Sequence, residues 1–324
     1  MTPLVAEGAR LLAAGELVAF PTETVYGLGA DASSPAAVAK IFALKGRPSD
    51  HPLIVHVAGV EVLREWGSDI LPAAFALAEK FWPGPLTIIV KRARHVSDAV
   101  TGGQDTVGLR CPSHPMAQAL LREFARLGSG AIAAPSANRF GHVSPTTAEH
   151  VLDEFGAGLF ILDGGACEVG LESTIVDVSS GAAVLLRPGS VTREDLARVL
   201  GTSPRERDDE SPRASGTLAA HYAPRTAMAL LGTQALELEV RTLANAAVLA
   251  MRDAPHSARV LTWIDAGANP ARYAHDLYAN LRKLDASGAK RILVEAPPRT
   301  VEWEAVNDRL QRAAAGAGLA GDEP

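Results

Sequence analysis

The sequence predicts an α/β fold built on a mixed sheet, followed after a linker by a second, smaller α/β domain. Three observations carry this. Helix-period and strand-like segments alternate through residues 1–200. Several strand candidates follow one another with little between them, whereas every parallel return needs a long crossover. Residues 201–224 then lose all apolar periodicity before new alternating elements begin near residue 225.

The elements follow in order. Residues 4–14 pattern as a helix closed by Gly15, and ELVAFPT as a buried strand. Ser34 supplies a helix N-cap with Pro35 at the first helical position. Val38, Ile41 and Phe42 form that helix's apolar face, and Gly46 ends it. LIVHV (53–57), LTIIVK (86–91), TVGLRC (106–111), AIAAPSA (131–137), LFILD (159–163), STIVDV (173–178) and AVLLR (183–187) read as strands. Helices intervene at about 114–127, 146–154 and 192–200. The linker, GTSPRERDDESPRASGTLAAHYAP, is rich in Pro, Ser and mixed charge, and connections of that length tend to be functional or disordered. TAMALL, AAVLAM, ARVLTWI and KRILVEAP then alternate with helical patterns near 234–244, 270–287 and 302–315. The expected organisation is a first domain over 1–200, a linker over 201–224 and a small α/β domain over 225–324.

Composition narrows the function classes. The 324 residues fit two domains of about 100–200 residues each. The N-terminus lacks the basic start and apolar run of a secretory signal, and no stretch reaches the roughly 18 apolar residues of a membrane span. Cys111 and Cys167 stand far apart outside any C-x-x-C pattern, which argues against a zinc site or a disulfide framework and fits a reducing cytoplasm. Residues 1–200 hold 16 Lys+Arg against 21 Asp+Glu, and residues 225–324 hold 12 against 12. Neither part has the basic excess of a protein that grips nucleic acid by its phosphates. A cationic site must be a local cluster suited to a small polyanion.

Neither G-x-x-x-x-G-K-[ST] nor a G-x-G-x-x-G after a strand occurs in the sequence, so side chains must hold the phosphates of any nucleotide. Pro21-Thr22-Glu23-Thr24-Val25-Tyr26-Gly27-Leu28-Gly29 places two hydroxyls and a phenol where a strand ends, with Gly27 and Gly29 read as permitting tight turns. The segment fits a ligand loop, and equally a turn with capping threonines. Lys45, Arg47 and His51 sit in a loop stiffened by Pro48 and Pro52. They could bind a ligand or simply complement a helix C-terminus. His56 alternates inside an apolar strand, where a histidine needs a partner or an opening. Ser136 and Asn138 follow a small-residue strand, and Ser144 is either a ligand contact or a helix N-cap. Arg187 stands in a Pro-Gly turn, as a surface residue or as part of a site. Together Lys45, Arg47, Arg110 and Arg187 lie at element ends beside hydroxyl-rich turns. Such a set can neutralise a triphosphate through charge-assisted and bidentate hydrogen bonds.

PTETVYGLG, KGRPSDHPL, FWPGPLT, VGLR, APSAN, SPTT, ESTIVD and LLRPG stand in this order across residues 21–189. This run resembles the YrdC-type domain of L-threonylcarbamoyladenylate synthases, and HYAP with the trailing domain resembles the long form of that family. The resemblance implies a twisted mixed sheet with a concave, positively lined cavity and a Rossmann-like C-terminal domain. It implies that Thr24, His56, Arg110, Ser173 and the backbone at Ala134 hold L-threonine, with Arg110 on its carboxylate. It places Lys45, Arg47, His51, Thr106, Ser136, Asn138, Ser144 and Arg187 around ATP, with Lys45, Arg47, Ser136 and Asn138 as the catalytic set. Tyr222 would cover the nucleotide, making Ser211 to Pro224 a lid. The family often carries Pro-Gly-Met and basic residues before HYAP, where this sequence has residues 214–220 as ASGTLAA.

The implied reaction joins L-threonine, bicarbonate and ATP, with Mg2+, into threonylcarbamoyl-adenylate for a downstream threonylcarbamoyl transferase that modifies tRNA. Direct tRNA binding is left open, and no membrane partner is expected. Two other readings compete: an RNA-binding module without catalysis, which the acidic first domain disfavours, and a carbamoyl-transfer enzyme, which the two lone cysteines disfavour.

Overall fold

The computed structural model describes residues 2–318. The chain forms two compact units. The first runs to Phe140 and includes Pro145–Glu168 and Glu172–Thr217; the second comprises Gly141–Ser144, Val169–Leu171 and the chain from Leu218 onward. The division falls at Thr217/Leu218, within the expected 201–224 linker and not at either of its ends.

The first unit carries a ten-stranded sheet. Its strands are β1 (Val18–Phe20), β2 (Gly27–Asp31), β3 (Ile54–His56), β4 (Leu86–Lys91), β5 (Thr106–Arg110), β6 (Ile132–Ala133), β7 (Phe160–Ile161), β8 (Thr174–Asp177), β9 (Val184–Arg187) and β10 (Arg205–Glu206). Their order is β10-β9-β8-β4-β5-β3-β6-β2-β1-β7. The pairs β10/β9, β8/β4, β5/β3 and β1/β7 are parallel and the others antiparallel, the mixed sheet expected.

One reading is corrected. Gly27 and Gly29 do not turn the chain; they lie in β2, antiparallel to β1. A Cβ on Gly29 would meet Ile132 Cγ2 at 2.7 Å and the Phe20 ring at 2.9 Å. The glycines let neighbouring side chains close over the strand, a packing demand that a turn-residue reading does not register.

Strand alternation decides what each face carries. Val55, Ile88, Val90, Val107, Leu109 and Val176 point to one side and pack with Val38, Ile41 and Phe42 of the helix Pro35–Lys45 and Leu77 of the helix Pro72–Phe81. Each such burial stabilises by roughly 1.5–3 kcal/mol. The helix Pro35–Lys45 starts and stops as its sequence dictates: Ser34 accepts from the Ala37 amide at 3.2 Å, and Gly46 ends it in the left-handed region at φ 65°. The opposite face is divided. Near β1 and β6, Val18, Phe20 and Ile132 are covered by the paired helices Pro3–Ala13 and Pro115–Leu127. Across β3, β5, β4 and β8 the register sets Ile54 and His56 beside Gly108 and Arg110, then Thr87, Ile89 and Ile175. Polar residues thus gather on the half of this face that those two helices do not cover.

The second unit holds four parallel strands, β11 (Met228–Leu231), β12 (Ala246–Ala250), β13 (Thr262–Asp265) and β14 (Arg291–Glu295), in the order β11-β14-β12-β13. The helix Pro270–Asp285, capped by Asn269, buries Tyr273, Leu277, Tyr278 and Leu281. Among the described residues no helix is long and apolar enough to cross a membrane.

Candidate active site

β1 ends at Pro21, and the turn that follows organises itself. The Thr22 hydroxyl donates to the Val25 carbonyl at 2.6 Å, accepts from the Thr24 and Val25 amides at 3.2 Å each, and meets the Thr24 hydroxyl at 2.9 Å. Such hydroxyl-to-backbone bonds are the local chemistry that favours threonine in turns. Glu23 leaves this turn with its carboxylate buried. Arg110 Nη2 donates to its Oε1 at 2.7 Å and the Ser113 amide to its Oε2 at 3.1 Å.

His56 and Arg110 are register neighbours on β3 and β5, both buried. His56 Nδ1 and Arg110 Nε make no hydrogen bond of good geometry within the protein, the imidazole lying near the Ile54 and Ile132 backbone. Buried polar atoms are nearly always paired, and these two stand as exceptions on neighbouring strands. Burial, with the adjacent Arg110 charge, pulls the imidazole down from 6.5 to about 3. His56 is therefore neutral over the physiological range. Thr24 is fully buried in the first turn, and the Ala134 amide donates to the Ile54 carbonyl at 2.9 Å, fixing the backbone beside β3. The Ser173 hydroxyl meets Thr87 Oγ1 at 2.7 Å. Arg187 Nε and Nη2 donate to the Ser173 carbonyl at 3.1 and 2.9 Å.

A second group lies around the loop after β6. The helix Pro35–Lys45 delivers Lys45, whose Nζ donates to the carbonyls of Ser136, at 2.6 Å, and of Asn138. The ammonium thus clamps the loop that bears Ser136 and Asn138. Burial, then the Arg47 charge, holds its pKa well below 10.5. Tyr26 and Leu28 tie the same loop to β2: the Leu28 amide donates to the Pro135 carbonyl and the Ala137 amide to the Tyr26 carbonyl, both at 2.8 Å. Arg47 Nη2 donates to the Pro52 carbonyl at 3.0 Å and to Ser215 Oγ at 3.4 Å. His51 lies against Phe140, ring centroids 5.4 Å apart, with its pKa lowered by burial and then by Arg47. Thr106 lies on the site face of β5.

The linker's first half belongs to this unit. Ser215 receives Arg187 Nη1 on its carbonyl at 2.8 Å and donates its hydroxyl to the Pro52 carbonyl at 2.8 Å. Arg213 reaches Asp50 at 3.2 Å and the Gly102 carbonyl at 2.8 Å. Together with Ala214 these residues line a cavity over Ile54, Ile89 and Gly108. Ser144 and Tyr222 belong to the second unit. Tyr222 is buried there at φ 61°, stacked on Tyr278 at 5.7 Å, with the Arg309 guanidinium 5.3 Å from its ring. Among the described residues no group of three or more His, Cys, Asp and Glu side chains is placed to hold a metal ion.

Sequence reasoning singled out neither Glu23, Thr87 nor Ser215. An acid between two threonines at the end of a buried strand was the available signal for Glu23. Thr87 looked like one more β-branched strand residue, and Ser215 carried no signal.

The fold and the site define a YrdC-type α/β protein, with buried cations and hydroxyls at the strand ends and loops of the large sheet. Residues 10–189 match the Sua5/YciO/YrdC family profile, described as "Telomere recombination", and residues 191–315 match "Threonylcarbamoyl-AMP synthase, C-terminal domain". A Bacillus subtilis threonylcarbamoyl-AMP synthase is 38% identical over 97% of this chain and 94% of its own length. One from Pyrococcus abyssi is 37% identical over 92% and 90%. The crystal structure of P. abyssi Sua5 complexed with L-threonine superposes with a TM-score of 0.86 at 35% identity, covering 96% of this chain and 94% of that one. The chain belongs to the threonylcarbamoyl-AMP synthase family, in its two-domain Sua5 form.

Proposed function

We propose that this chain is an enzyme, a nucleotidyltransferase that converts L-threonine, bicarbonate and ATP into threonylcarbamoyl-adenylate and pyrophosphate. The observation that carries the proposal is the pairing of Arg110 and His56, neighbours on β5 and β3, with two further cations, Arg187 on β9 and Arg47, which Ser215 joins, while Lys45 holds the Ser136–Asn138 loop. The first pair suits the carboxylate and polar groups of an amino acid, with Thr24, Ser173 and the Ala134 backbone completing the subsite. The cations suit a triphosphate, with His51, Thr106, Ser136 and Asn138 around it.

The neutral amine of threonine attacks bicarbonate-derived CO2, forming the C–N bond and releasing a proton to give a carbamate. A carbamate oxygen then attacks the α-phosphorus of ATP, and the bond to the β-phosphoryl oxygen breaks to release pyrophosphate. Displacement at phosphorus needs chiefly position and charge stabilisation, so a set of fixed cations suffices. Lys45 holds the Ser136–Asn138 loop in place and adds positive charge beside it. Mg2+ would be held mainly by the nucleotide's own phosphates, where it would supply further neutralisation of their charge.

Ser215 meets both Arg47 and Arg187, the contacts a phosphate would compete for. This supports a lid role for the linker from Ser211, which must yield to admit ATP and close again to keep water from the adenylate. We place the reaction in the cytoplasm, upstream of a threonylcarbamoyl transferase acting on tRNA. The test is pyrophosphate release from ATP. Release is expected only when L-threonine and bicarbonate are both present, and equal release without threonine would overturn the assignment.

A further inference from the structure

We propose that Glu23 is a positioning and specificity residue that makes the Arg110 subsite select an amino acid of zero net charge; this rests on the functional reading above. Glu23 is 3% exposed, and each carboxylate oxygen has its own donor, Arg110 Nη2 and the Ser113 amide. Both ends of the pair are held. Glu23 lies between Thr22 and Thr24, whose hydroxyl bonds lock the turn, and Arg110 lies within β5.

A buried ion pair is weak stabilisation, because desolvation cancels most of the attraction. The fold therefore gains little from choosing this pair over two apolar side chains. The site gains more. Engaging Nη2 fixes the plane of the guanidinium and leaves Nε, which has no partner, to face a ligand. A fixed donor loses less entropy on binding than a swinging one. Charge is the second gain. Arg110 contributes one positive charge, Glu23 one negative, and His56 is neutral. The set sums to zero and matches the zwitterion in which threonine binds, before its amine gives up a proton for attack on CO2. An anionic amino acid would leave one uncompensated negative charge in a buried place, which is strongly disfavoured.

The test compares the full-length wild type with Glu23→Gln, titrated calorimetrically with L-threonine, L-aspartate and ATP. Aspartate is close to threonine in size but carries an extra carboxylate. The amide still accepts from the Ser113 amide but removes the charge. Threonine affinity should fall about tenfold as Arg110 loses its anchor. The preference for threonine over aspartate should shrink by a further factor of about ten, because the pocket now carries a net positive charge. ATP affinity should stay within about twofold. Glu23→Asp keeps the charge and should keep the preference even with weaker binding, an outcome that a merely structural role would not produce. Two results overturn the proposal: an unchanged threonine-to-aspartate ratio in Glu23→Gln, or the same loss of preference in Glu23→Asp. Wild-type protein that binds no threonine would overturn the functional reading and this inference with it.

Discussion

His56 offers a direct measurement of how dry the amino-acid subsite is. Burial, then the Arg110 charge, pulls its pKa in the folded chain from the ordinary 6.5 to about 3. The folded value is depressed, so the folded state is fully favoured above pH 6.5. As pH falls below 6.5 the unfolded chain takes up a proton that the folded chain refuses, and stability declines until pH approaches 3. At pH 5 the gap to 6.5 is 1.5 units, and at about 1.36 kcal/mol per unit the loss is about 2 kcal/mol. The perturbation is His56→Gln, which cannot titrate in this range. Urea unfolding of wild type and variant at pH 7.5 and pH 5.0 gives four stabilities for the first unit. Exposed carboxylates and the other histidines contribute alike to both proteins and cancel in the double difference. Wild type should lose about 2 kcal/mol more than the variant. Parallel losses would mean that His56 protonates normally in the folded chain, and the argument for a water-excluded subsite would fail.

Two further outcomes concern the nucleotide. Arg47→Ala and Arg187→Ala should each weaken ATP binding by about one to two decades, the range of a lost charge-assisted hydrogen bond, with unchanged isothermal titrations returning both to a structural role. Lys45 has a depressed pKa from burial and Arg47, and a triphosphate brought beside it favours its charged form. Lys45→Met removes that interaction and should weaken ATP binding by about one to two decades in isothermal titration, with unchanged affinity returning Lys45 to a purely structural role.

Much of the first unit was legible because its strands are short apolar runs bounded by turn residues. LTIIVK, for instance, became β4 without change. The caps of the helix Pro35–Lys45 were equally readable, since Ser34, Pro35 and Gly46 each act through their own backbone neighbourhood. Partnerships across the sheet were not. That Gly29 is needed because Phe20 and Ile132 converge on it is a fact of packing, and no local pattern encodes it. The site split the same way. His56 drew notice as a histidine in an apolar strand, whereas Glu23 gains its meaning only when β5 brings Arg110 to it, 87 residues away. The linker was recognised by its composition, yet its division between two units depends on where Ser215 and Tyr222 find partners.

The two margins of the large sheet are short strands. β7 and β10 have two residues each, and β10 is drawn from the linker. An unpaired strand offers a row of free amides and carbonyls to any passing chain, and long flat margins are where proteins aggregate. Here β10 pairs with Val184 and Leu185 of β9 through Arg205 and Glu206, so the apolar strand lies inside the sheet and a charged two-residue strip forms the rim. The start of the linker, ahead of the segment proposed as a lid, thus serves as the hem of the sheet. Removing it would leave β9 as an open margin that invites self-association.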